Sequence, residues 1–281
     1  MSKILVRSFF FALASLVIWH GTSGKAQTPP KYQWAIPVHF AAATCTEFSW
    51  VSDLPNTDET AALFKRCVVD RFGLPLDKTN FWSDGSNEEF LSWLNGLAEK
   101  GRSDSTLIFY FATHQWSNGQ TKFSKGPNLE PEKLIQAINK AAKQYRSILF
   151  INDSCYAAAL EKYGSFSSNI IRFYTSKDNE VSIDLVFDKG PYGLEEFTQK
   201  ERQFLKSEIQ WEPKGMSFFG IIGLKAALAL AQRNGTTVDL QALLGEMNRF
   251  RDLYDEEIRQ AKVQHFVLMP ADANIELLRI K

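Results

Sequence analysis

Two short stretches constrain what this chain can fold into more than any others. Ser105–Ala112 (STLIFYFA) and Ser147–Asn152 (SILFIN) are nearly all apolar, of strand length, and rich in aromatic and β-branched residues. Neither alternates between apolar and polar positions, so neither offers a face to water. A strand that is hydrophobic on both sides is covered on both sides, as in a parallel sheet clad with helices. Between the two runs, Pro131 opens a helical stretch reaching about Tyr145. That is the crossover that parallel neighbours require. The pattern continues on either side. Trp34–Ala43, Thr79–Trp82, Ile170–Thr175, Val181–Phe187 and Val263–Met269 read as further strands. Asp58–Phe72, a segment capped by Asn87 and running to Lys100, Ser217–Arg233 and Leu240–Ala261 read as helices, with Gly73 and Gly101 as stops. The expected architecture is α/β: a three-layer sandwich with a central, mostly parallel sheet and helices on both faces.

The N-terminus has a different character. Lys3 and Arg7 precede an apolar run, Phe9–Trp19, and small or polar residues follow up to Ala26. This is the layout of a secretory signal, and the run is shorter than the roughly 20 residues a membrane helix needs. Residues 1–26 are therefore expected to be a cleaved signal peptide, and 27–281 a single domain that is periplasmic or secreted, with no stable membrane span. With 32 basic and 32 acidic side chains, the chain lacks the basic excess of a nucleic-acid binder. No metal or cofactor is expected: HExxH, paired CxxC, a GxSxG elbow and a phosphate-binding glycine loop are all missing from the mature sequence.

Reactive side chains sit at the ends of the two apolar runs. The first closes with Ala112-Thr113-His114-Gln115 and the second with Asn152-Asp153-Ser154-Cys155. In open α/β sheets, ligands gather beyond the carboxyl ends of the strands. A right-handed crossover brings two such ends to the same edge. An imidazole and a thiol placed together in this way suit nucleophilic catalysis, with His114 as general base and Cys155 as nucleophile. The tetrahedral oxyanion would need backbone donors, for which the amides of Gln115 and Cys155 are the candidates. Tyr156–Lys162 is expected to form a short helix whose amides face Cys155 and favour its thiolate.

The runs LIFYFATHQ and ILFINDSCYAAAL resemble the caspase-like cysteine peptidases, a superfamily that includes caspases, metacaspases and bacterial relatives. In these proteins one strand ends in a His-Gly pair and the next in Asp-x-Cys or its equivalent. The likeness extends more weakly over residues 34–275. It implies a caspase-like sheet, a His114/Cys155 dyad, and cleavage of a peptide or protein substrate. It also implies that Asp153, two residues before the nucleophile, lines a pocket for Arg or Lys on the acyl side of the cut. Two departures stand out. Gln115 replaces the usual Gly after the histidine, so altered access to the site is expected. Ala157-Ala158 replaces the usual Ser-Gly after the cysteine. These departures motivate the alternative of a catalytically impaired, caspase-like binding module of the cell envelope. Of the remaining cysteines, Cys45 and Cys67 would pair in an oxidising compartment or stay as buried thiols; spacing alone leaves both open.

Overall fold

The structure, a computed structural model, describes residues 32–48, 54, 56–66, 69, 73–182, 184–186, 195–209, 215–234, 237–257 and 265–280. The expected signal peptide and Cys67 lie outside the described residues. In chain order the elements are β1 (Tyr32–Trp34), β2 (Val38–Thr44), α1 (Asn56–Arg66), β3 (Thr79–Ser83), α2 (Asn87–Glu99) and β4 (Thr106–Ala112). Next come β5 (His114–Gln115), β6 (Thr121–Lys122), α3 (Pro131–Ala142), β7 (Ser147–Asn152), a 3-10 turn (Ala157–Lys162) and β8 (Ile170–Tyr174). The chain continues through β9 (Asp184–Val186), α4 (Glu195–Ile209), β10 (Gly215–Ser217), α5 (Phe218–Asn234), β11 (Thr237–Asp239), α6 (Leu240–Glu257), β12 (Val267–Met269) and β13 (Glu276–Ile280).

Six strands form the central sheet in the order β12-β8-β7-β4-β2-β3. β12 runs antiparallel to β8 and every other pair is parallel. The chain starts in β2, steps outward to β3, then returns past β2 to β4. This reversal makes the carboxyl ends of β2 and β4 a switch point, where loops diverge and leave a crevice.

The doubly apolar strands do what their composition requires. Phe40, Ala42, Ile108, Tyr110 and Leu149 face a core built with α1, α5 and α6. Ala41, Ala43, Leu107, Phe109, Phe111, Ile148 and Phe150 face a second core with α2 and α3. Each fully buried aromatic or aliphatic side chain contributes about 1.5–3 kcal/mol, so the middle strands anchor both layers. β3, at the edge, is only partly buried.

Several expected boundaries shift for local reasons. The stretch read as one strand, Trp34–Ala43, is divided: Pro37, with no N–H to donate, separates β1 from β2. β1 leaves the central sheet and pairs with β13. Helix α2 is capped by Ser86 rather than Asn87. The Ser86 hydroxyl accepts from the Glu89 amide while the Glu89 carboxylate accepts from the Ser86 amide, a reciprocal capping box. Asn87 instead donates its amide to the Pro127 carbonyl. The strand expected at Val181–Phe187 contracts to β9, which pairs with β10 outside the central sheet.

Candidate active site

Hydrogen bonds at the strand ends tie together the carboxyl ends of β3, β2, β4, β7 and β8. The Cys45 amide donates to Ala112 O at 3.1 Å, Asp153 to Phe111 O at 2.8 Å, Thr175 to Asn152 O at 3.1 Å and Asp84 to Thr44 O at 3.2 Å. β4 and β7 pair directly in parallel, Phe111 opposite Asn152, as the crossover argument requires. One further bond joins the two reactive loops. The Thr113 amide donates to Ser154 Oγ at 3.3 Å, so the residue before His114 is tied to the residue before Cys155. Both His114 and Cys155 are half-buried.

His114 begins the small antiparallel pair β5–β6, opposite Lys122. Aromatic rings flank its imidazole: Phe48 at 4.6 Å between centroids, and Trp116 at 6.3 Å and nearly parallel. Phe48 comes from the loop after β2. Asp84, at the end of β3, holds that loop: its carboxylate accepts from the Thr46 amide and hydroxyl at 2.7 and 2.5 Å and from the Glu47 amide at 3.1 Å. The Ser124 hydroxyl donates to it as well. Burial opposes charge on Asp84, but these donors outweigh it and hold the carboxyl below its ordinary range. Trp116 sits on the β5–β6 turn, closed by the Gly119 amide donating to Trp116 O at 2.8 Å. Gly119 has φ +76, and a Cβ there would meet the Tyr163 ring at 2.9 Å.

Gln115 departs from expectation in an informative way. Its side chain is 1% exposed and turned toward the β7 loop. Its Oε1 accepts from Asn152 Nδ2 at 2.9 Å, and its Nε2 donates to Tyr156 O at 2.9 Å and Ala157 O at 3.5 Å. Gln115 is paired with Thr121, while the next residue, Trp116, donates to Gln120 O. Gln115 therefore occupies a non-hydrogen-bonded ladder position, with its own N–H directed away from β6.

Cys155 precedes a bent segment. Tyr156 has φ 54 and ψ 30, a left-handed conformation that costs a non-glycine residue about 1–2 kcal/mol. Its neighbours hold it there: Tyr156 N–H donates to Glu180 O at 2.7 Å, and Ala157 N–H to Ser176 Oγ at 2.9 Å. Ala158 N–H donates to Ser176 O at 3.2 Å, and Ser176 Oγ donates to Ser154 O at 2.8 Å. This corrects the expected role of Tyr156–Lys162. The helical turn starts at Ala157, and the amides of residues 156–158 are taken by Glu180 and Ser176 rather than offered to the thiol. Ala157 is fully buried, so a small side chain fits there.

Asp153, two residues before Cys155, is buried, 5% exposed. Tyr110 Oη donates to its Oδ2 at 2.9 Å, and Thr175 Oγ1 and Ser182 Oγ donate to Oδ1 at 2.9 and 3.2 Å. Ser217 supplies a fourth hydroxyl. Burial pushes the Asp153 carboxyl upward, and these hydroxyls counter it only in part. Among the described residues no Lys or Arg bonds to it.

Cys45 carries a free thiol. It is buried next to Ser124 and Thr113, and burial pushes its pKa up, as for an inert structural cysteine. Among the described residues, no cluster of three His, Cys, Asp or Glu is placed to hold a metal ion, and no helix is long and apolar enough to cross a membrane.

Sequence reasoning singled out His114, Gln115, Asp153 and Cys155, and all four lie at one sheet edge. It missed Phe48, Asp84, Trp116, Asn152 and Ser176. Of these only Asp84-Gly85, a turn pair at a strand end, carried a local signal.

No family model matches the chain, and no curated protein sequence does. Solved structures do match. The crystal structure of caspase-1 from Spodoptera frugiperda superposes with a TM-score of 0.53 at 12% identity, over 88% of this chain and 93% of that one. The chain has a caspase-like α/β sandwich fold.

Proposed function

We propose that this protein is a cysteine endopeptidase using Cys155 and His114. One observation carries the reading: the directly paired strands β4 and β7 are followed, just past their carboxyl ends, by the histidine and the cysteine, and the Thr113–Ser154 bond locks their loops together. In this scheme His114 takes the Cys155 proton and the thiolate attacks the scissile carbonyl, forming a C–S bond. The amides of Gln115 and Cys155 receive the oxyanion. His114 then returns the proton to the departing amine, and a water molecule activated by the same imidazole releases the acyl group. The caspase-like fold supports this chemistry but does not set its specificity.

Asp153 gives the reading its substrate preference, for Arg or Lys on the acyl side of the cut. Its partners are neutral hydroxyls, so among the described residues no other cation competes with an incoming one. The bond from half-buried Ser182 is the longest of the three measured and the one such a cation would displace. Export through residues 1–26 is part of the proposal and places the activity outside the cytoplasm.

The test is a peptide library scanning the residue before the cut, run on the mature protein beside Cys155→Ala. Cleavage after basic residues, abolished by the substitution, is the expected result. Full activity in Cys155→Ala would overturn the assignment. An unaltered preference in Asp153→Asn would remove the pocket role. A folded protein whose Cys155 resists iodoacetamide and cleaves nothing would instead be an impaired binding module.

A further inference from the structure

The side chain of Gln115 spans from the base's strand to the nucleophile's loop. It is one residue from His114, and its amide grips the main chain one residue beyond Cys155. Beside the Thr113–Ser154 bond, which ties the residues before the base and the thiol, this side chain ties the residues after them. Its orientation is not ambiguous: Asn152, the last residue of β7, donates to Oε1, which leaves Nε2 to face the carbonyls of Tyr156 and Ala157. What it grips is strained. Tyr156 is a non-glycine residue with φ 54, a conformation that persists only where the surroundings over-determine it. Its N–H is already held by Glu180 O, and Gln115 holds its C=O, so both main-chain polar groups of the strained residue are tied.

We propose that the Gln115 side chain is a positioning residue of this site: with Asn152 it sets the bend after Cys155 and so the approach of thiol to imidazole. The inference rests on the cysteine-peptidase reading. It is separable from the oxyanion role of Gln115, which uses the main-chain N–H and survives replacement of the side chain. The chemistry also discriminates among substitutes. Alanine removes the grip, asparagine falls one methylene short, and glutamate sets a carboxylate against two carbonyl oxygens.

The experiment compares wild type with Gln115→Ala, Gln115→Glu and Asn152→Ala, all well below their unfolding temperatures. Steady-state cleavage of the best library peptide is measured beside the rate of Cys155 alkylation by iodoacetamide as a function of pH. Loosening the geometry by about an ångström should lower kcat on the order of 100-fold while KM stays within about threefold. The alkylation profile should move toward that of a free thiol, near pH 8.5. Gln115→Glu should be at least as impaired as Gln115→Ala, and Asn152→Ala less so. Overturning results are a Gln115→Ala variant with wild-type kcat and alkylation profile, or a loss confined to KM. If wild type alkylates at Cys155 but cleaves nothing, the peptidase reading fails and the alkylation profiles alone decide the brace. If wild-type Cys155 does not react at all, both fall together.

Discussion

Replacing Asp153 with alanine takes away an acceptor that four hydroxyls share, and the structure lets the cost be worked out. Tyr110 and Thr175 are fully buried and donate to the carboxylate at 2.9 Å each. Each buried donor deprived of its acceptor costs about 1–3 kcal/mol, so these two set a gross penalty of roughly 2–6 kcal/mol. Ser182 is half-buried and can turn to water, and Ser217 keeps the Gly220 amide, which donates to it at 3.1 Å. Relief from burying a carboxylate whose pKa is raised offsets part of the total, which leaves a net loss of about 2–3 kcal/mol at neutral pH. Urea unfolding followed by tryptophan fluorescence measures this. A cycle with Tyr110→Phe isolates one bond: the coupling should lie between about 1 and 3 kcal/mol. The pH dependence has a definite sign. A carboxyl raised by folding is protonated in both states at low pH, and its contribution to stability is lost as pH rises from the unfolded value, near 3.8, through the folded one. The penalty of Asp153→Ala should therefore be larger near pH 4 than at pH 7. A penalty below about 0.5 kcal/mol, or one that grows with pH, would refute the reasoning.

Three further outcomes follow from the same geometry. Ser86→Ala should cost about 1 kcal/mol by opening the capping box of α2, measured by thermal unfolding; Asn87→Asp, outside the cap position, should leave that box intact. Gly119→Ala should cost more than 1 kcal/mol, since positive φ and the Tyr163 ring both oppose a side chain there, and circular dichroism would show a lowered Tm. Glu180 works against its burial: the amides of His265 and Lys177 and the His265 ring hold its carboxyl below the ordinary range. Its contribution is therefore present above about pH 4.5 and lost as pH falls through the depressed value, so Glu180→Gln should flatten the acid limb of the stability curve.

Much of the site could be read without coordinates because it sits where composition is least ambiguous. A strand buried on both faces is apolar through its middle, so β4 and β7 announce themselves, and the polar residues at the carboxyl end of each run mark the sheet edge. β5, β6, β10 and β11 carry no such mark. They are two or three residues long and exist because a partner strand is in reach, which propensity cannot register. The final strand illustrates both sides. Val267–Met269 was within the expected stretch, while β13, which pairs with β1 and β11, had no local signal of its own.

By itself, then, the chain determined the parallel core and the placement of His114 and Cys155 at neighbouring strand ends, since burial on two faces and a right-handed crossover leave little freedom. Only the tertiary structure decided what surrounds them. Gln115 could have crowded the site as a bulkier replacement for glycine, yet it turns inward because Asn152 and the Tyr156 carbonyl lie within reach. Asp153 acquires its cage of hydroxyls from residues 43, 22, 29 and 64 positions away. Side-chain direction at a loop depends on which donors and acceptors distant segments bring alongside, and no local pattern encodes that.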